Sequence, residues 1–189
     1  MVLTSLLLLP LVFSLACGGG KPKTASPDII PITAEPGAPK YDYGSNAVIL
    51  RLKADATLNQ VDDQPHTLVL CVYQFSDPNA FQDLAKSKTG VIKLLNCQRF
   101  NEGVASVQKV ILQPGESRNV ILDRAEGAKF VGLAAGYFDL VPEKATRLIK
   151  VPVDVALKGW IFKDKYQIPA RLDKRIFLGP SEIREEESP

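Results

Sequence analysis

The chain has 189 residues, 46% of them hydrophobic and 23% charged, and a formal net charge of +2. That length supports one domain with a real core. The near-neutral balance, without a dense Lys/Arg block, makes nucleic acid and anionic lipid surfaces poor partners.

Residues 1–16 carry no charged side chain, and Leu6 to Phe13 form an apolar run interrupted by Pro10. The run is too short to span a bilayer, which needs about 20 apolar residues, and fits the hydrophobic region of an export signal. Ser14-Leu15-Ala16-Cys17 reads as a lipobox, so Cys17 is the expected lipidation site. The match lies at Ala16 and Cys17; Ser14 stands where an aliphatic residue is usual. A buried N-terminal core element is disfavoured, because Gly18-Gly19-Gly20 and a Pro-rich stretch follow at once. Residues 17–44, with five prolines and five glycines after the cysteine, read as a partly extended tether.

From Ala47 the pattern becomes regular. Val48, Leu50, Leu52 and Ala54 share one face and Arg51, Lys53 and Asp55 the other, the period-2 signature of a half-buried strand. Thr57 to Thr67 is polar, with a proline, and reads as an exposed loop. It exceeds the two to five residues of an ordinary hairpin loop, which marks it for a use beyond chain reversal. Leu68 to Phe75 is apolar on both faces except at Gln74, as in a central strand covered on both sides. Ser76-Asp77-Pro78 offers a helix cap and a first-turn proline, with Phe81, Leu84 and Ala85 following at helical spacing. A second helical piece is predicted over Thr89 to Asn96, giving one short helical insertion.

Strands resume at Ser106 to Gln113, and Pro114-Gly115 is a strong turn signal. Asn119 to Asp123 is then expected as the return strand of a hairpin. Lys129 to Leu140 is read as one strand whose Phe130, Gly132, Ala134, Gly136 and Phe138 face has almost no side-chain volume in its middle. A bulky group must approach there. Leu148 to Leu157 follows with a break at Pro152, then Tyr166 to Leu172 and Lys174 to Leu178, with Trp160 expected to plug the core. Seven or eight short strands plus the insertion predict a mainly β, two-sheet sandwich over residues 45–180, followed by a solvated acidic tail over 181–189.

Chemistry is thinly represented. Cys71 and Cys97 allow a disulfide or two separate buried thiols. No C-x-x-C pair suggests zinc, Asp62-Asp63 alone is a weak metal pair, and no phosphate-cradling glycine loop is present. The single histidine, His66, lies in the polar loop, and an apolar mid-strand thiol at Cys71 would be inert. No cofactor and no enzymatic activity are expected. A ligand-binding β-sandwich lipoprotein of the periplasm, with the small-residue face as a pocket wall, is the alternative.

In order along the chain stand the lipobox, the Pro-rich spacer, Ala54-Asp55 with Leu58-Asn59, the polar loop, and Val72-Tyr73-Gln74-Phe75. Leu112-Gln113-Pro114-Gly115-Glu116 and Phe130-Val131-Gly132-Leu133-Ala134-Ala135-Gly136-Tyr137 come later. This series resembles the TssJ family, outer-membrane lipoproteins of the type VI secretion system, over about residues 47–140. The C-terminal third departs from the pattern: Ala145-Thr146-Arg147 stands where the family carries a Trp-Arg pair. The resemblance implies a transthyretin-like sandwich and a structural role within a TssJ–TssL–TssM complex. The partner would be the periplasmic C-terminal domain of TssM, contacted through the loop at Asn59, Gln60, Val61, Asp62, Asp63 and Gln64. Gly18 after the lipidated cysteine, where Asp would signal retention in the inner membrane, implies the outer membrane, periplasmic face.

Overall fold

A computed structural model describes residues 37–159 and 164–186. The export signal, Cys17, the first part of the tether and Trp160 lie outside them. Two four-stranded sheets form the body, and a two-stranded ribbon stands apart from both. The first sheet has the order β10-β9-β1-β4, with β1 Gly44–Ala54, β4 Ser117–Arg124, β9 Leu172–Leu178 and β10 Ile183–Glu186. The second has the order β3-β2-β5-β6, with β2 Leu68–Phe75, β3 Val104–Leu112, β5 Phe130–Ala135 and β6 Thr146–Lys150. The ribbon pairs β7 Val153–Lys158 with β8 Asp164–Pro169. The fold is the mainly β sandwich that the strand pattern predicts.

Alternation along β1 and β2 explains the layering. Val48, Leu50, Leu52 and Ala54 of β1 are buried against Leu68, Leu70 and Val72 of β2 and Val131, Leu133 and Ala135 of β5 in the core between the sheets. The other face of β2 and β5 carries Cys71, Tyr73, Phe75 and Ala134, which pack under α1 Asn79–Ala85 and α2 Lys88–Leu94 through Phe81 and Leu94. A strand apolar on both faces therefore occupies the middle of three layers. The one amide side chain on it, Gln74, is buried and bonded through both its nitrogen and its oxygen. Its amide donates to the Asp123 carbonyl at 2.8 Å and accepts from the Ala125 N–H at 3.0 Å, which ties the two sheets together.

The helical layer has its own fastenings. The Asp77 carboxylate accepts from the Asn79 N–H, and the Ser87 hydroxyl accepts from the Gly90 N–H. Tyr73 donates its hydroxyl to the Leu94 carbonyl, and burial pushes its pKa up to about 12. Cys71 of β2 is joined by a disulfide to Cys97, 26 positions on and just beyond α2. Closing a loop of that length stabilises by about 3 kcal/mol in the chain-entropy account.

Several expectations need correction. β3 and β4 do not form a hairpin: β3 pairs with β2 and β4 with β1, so the chain crosses between sheets at Pro114-Gly115. The turn signal was sound, since Gly115 has φ +74°, but a turn specifies reversal and not a pairing partner. The last two expected strands, Tyr166 to Leu172 and Lys174 to Leu178, are β8 and β9, but the break between them falls at Ala170-Arg171 and not at Asp173. The two expected helical pieces are present as α1 and α2, but a third helix, α3 Pro142–Ala145, lies unforeseen in the span after β5. Lys129 to Leu140 is extended only as far as Ala135. Part of the acidic tail is strand β10, which pairs with β9 and buries Ile183 while its glutamates face solvent. The last tether residues also belong to the fold, with Tyr41 buried and accepting at its carbonyl from Gly127 N–H.

The small-residue face of β5 is filled. A Cβ on Gly132 would lie 2.7 Å from Phe81 Cε2 and 2.9 Å from Phe75 Cε1, and those two rings stack at 5.3 Å. On Gly136 the nearest atom would be 3.5 Å away. Gly132→Ala should therefore cost about 1–3 kcal/mol by overpacking, and Gly136→Ala clearly less, in urea unfolding. Equal midpoints for the two variants would show that the ring stack does not close on Gly132.

Candidate functional site

The polar loop after β1 is a small, rigid hairpin. It begins where Asp55 folds back on itself: its carboxylate accepts from both the N–H and the hydroxyl of Thr57. Those bonds hold the Asp55 carboxyl below its usual range. Leu58 turns inward and is fully buried. Val61 and Gln64 exchange both backbone hydrogen bonds, at 3.0 and 2.8 Å. Between them Asp62 and Asp63 sit at φ +47° and +59°, the backbone of a type I′ turn, which Asp and Asn tolerate better than other side chains. Gln60 N–H donates to the Pro180 carbonyl, and His66 N–H donates to Leu58.

Asn59 is the latch. It is buried, has φ +49°, donates its side-chain amide to the Thr67 carbonyl at 3.0 Å and accepts from Phe138 N–H at 2.9 Å. This corrects its place among the expected contact residues, because a buried, doubly bonded amide cannot meet a partner. Gln60 and Val61 are half-buried, and Asp62, Asp63 and Gln64 are exposed at the tip. The tip thus offers two carboxylates on a fixed turn.

One neighbour escaped the sequence reading. Phe138 is 65% exposed and stands edge-on to His66 with ring centroids 5.1 Å apart. Alternation had placed it on the strand face with Gly132. The strand stops before Gly136, and the Phe138 N–H donates to Asn59, so the Phe138 ring is carried to the loop instead.

Cys71 is held in the disulfide, and the His66 ring packs edge-on against Phe138. Among the described residues no three His, Cys, Asp or Glu side chains are grouped to hold a metal ion. The face expected as a pocket wall is occupied by Phe75 and Phe81.

The family model described as type VI secretion lipoprotein, VasD, EvfM, TssJ matches residues 46–175. The chain belongs to this family. No curated protein sequence matches it. Among solved structures, Lip of Serratia marcescens, described as a membrane bound component of the type VI secretion system, is similar with TM-score 0.60 and 21% identity, covering 75% of this chain and 98% of that one. The lipoprotein TssJ1 of Pseudomonas aeruginosa gives TM-score 0.55 and 20% identity, covering 80% and 100%. A chain of a structure described as the T6SS protein TssM C-terminal domain from EAEC gives 0.52 and 17%, covering 75% and 98%. At these identities the likeness speaks for the fold. The family match reaches into β9, past residue 140 where the resemblance in sequence stopped.

Asn59→Ala removes a partner from Phe138 N–H and from the Thr67 carbonyl together, so it should destabilise by about 1–3 kcal/mol. Amide exchange at Phe138 should rise with it. Unchanged protection of that amide would show that Asn59 does not hold the loop.

Proposed function

We propose that this type VI secretion lipoprotein is anchored through acylated Cys17 to the outer membrane, periplasmic face. There it holds the secretion membrane complex by binding the periplasmic C-terminal domain of TssM, within a TssJ–TssL–TssM assembly. The observation that carries this reading is the arrangement of β1. The tether enters the domain at Gly37, which bridges to Tyr166, and runs into β1 at Gly44. After an irregularity between Gly44 and Val48, the regular ladder of β1 runs from Val48 to Ala54, about 20 Å, and delivers the chain to the loop after Ala54. Anchor entry and loop tip therefore lie at opposite ends of the sandwich, as a protein that spaces a partner away from a membrane requires.

The contact surface is the tip Gln60 to Gln64 with Phe138 beside it. The two carboxylates of Asp62 and Asp63 suit a cationic patch on the partner and orient the encounter. The exposed Phe138 ring supplies the apolar anchor that such interfaces centre on. The turn is locked by backbone bonds before any partner arrives, so little ordering cost attends binding. A role in holding rather than transforming accords with this surface. The ligand-binding alternative gains nothing from the filled β5 face.

Asp62→Asn with Asp63→Asn, which removes both charges and keeps residues that tolerate the turn, and separately Phe138→Ala, should each weaken binding to a purified TssM periplasmic domain about tenfold or more, the scale of a hot-spot residue, with the unfolding midpoint kept. Isothermal titration alongside thermal melts checks both. Wild-type affinity in both variants would place the interface elsewhere.

A further inference from the structure

The β7–β8 ribbon is the part of the molecule that the sandwich does not use. It is paired only to itself within the sheet topology, and its base is closed by Ala170 N–H donating to the Pro152 carbonyl. Directly opposed residues of an antiparallel pair share a face. The register Val155↔Gln167, Ala156↔Tyr166, Leu157↔Lys165 and Asp154↔Ile168 therefore sets Val155 and Leu157 on one face and Tyr166 and Ile168 on the other. All four are 42–58% exposed. A lone two-stranded ribbon is marginal in water, and this one shows apolar side chains on both faces.

We infer that the ribbon is a membrane-contact wedge, seated in the headgroup–acyl boundary of the bilayer that carries the Cys17 anchor. This rests on the anchor reading above. Two observations choose the bilayer as occupant. First, the tether meets the domain at this ribbon: Gly37 bridges to Tyr166, and the segment from Cys17 to Gly37 reaches at most about 70 Å. The ribbon stands at the end of the sandwich where the anchored chain arrives, and the partner loop stands at the other. Second, the apolar groups lie on opposite faces of a thin ribbon. A fluid lipid boundary can cover both at once.

The depth is limited. Open strand edges are not tolerated in the hydrocarbon core, so the wedge stops at the boundary, where amphipathic surfaces settle roughly 5–10 Å in. Its charges are balanced, Lys158 and Lys165 with Asp154 and Asp164, so the contact is apolar and does not depend on anionic lipid. Acyl chains alone leave the domain free to tip. A second contact at the ribbon fixes its tilt and turns the Asp62–Asp63 tip away from the membrane.

The test uses the acylated full-length lipoprotein in phosphatidylcholine vesicles. With Cys17 acylated and Cys71–Cys97 bridged, a new cysteine is the free thiol for a fluorescent label. Leu157→Cys, Ile168→Cys and, as reference, Asp62→Cys are labelled one at a time, and quenchers are carried on the upper acyl chain. The label at 157 or at 168 should lose about half its emission, as expected at boundary depth, while the label at 62 keeps nearly all of it. Equal quenching at all three sites overturns the wedge, as does quenching at the ribbon only when phosphatidylglycerol is added. Shielding of the ribbon labels from aqueous iodide without lipid quenching overturns it in favour of a second copy of the chain. Failure of the unlabelled protein to float with vesicles overturns the anchor itself, and the wedge with it.

Discussion

Everything in this fold is aligned on one strand that cannot slip. β1 is paired on one edge with β4, antiparallel from Val48↔Leu122 to Lys53↔Ser117, and on the other with β9, parallel from Val48↔Leu172 to Ala54↔Leu178. Its alternate residues are locked into the inter-sheet core, so a shift by one residue would turn Val48, Leu50 and Leu52 to solvent and bury Arg51 and Lys53. Arg51 is further fixed by two 2.8 Å hydrogen bonds to Asp173 on β9. A strand so pinned transmits position. Whatever holds its start holds its end, at a fixed distance and in a fixed direction.

The loop continues that stiffness past the end of the strand. Its conformation is set from inside by Leu58 and Asn59 and from below by the Pro180 carbonyl, leaving only the turn for recognition. The residues that make the loop what it is and the residues that would touch a partner are thus different ones within the same ten positions. Phe138 joins them from β5 because one amide N–H, hydrogen-bonded to Asn59, holds the two segments together.

Layering was legible in the sequence because it follows from periodicity. The apolar run of β2 could only be a middle strand, and the bare face of β5 required a bulky neighbour, found as Phe75 and Phe81. Pairing was not legible in the same way. Pro114-Gly115 states where the chain turns but not that β4 joins the other sheet, and nothing local to Ile183 reveals that β9 has a free edge waiting for β10. The loop was found by its length and polarity, yet composition cannot separate Asn59 from Asp62. Both are polar and both take positive φ, and only burial distinguishes the latch from the tip.

The central claim is that the two ends of the sandwich serve different neighbours. Photocrosslinking in the assembled membrane complex tests it most directly, with a photoreactive residue placed at position 62 in one strain and at position 157 in another. The account expects crosslinks to the TssM periplasmic domain from position 62 and none to it from position 157. Crosslinks to TssM from 157 with none from 62 would contradict it.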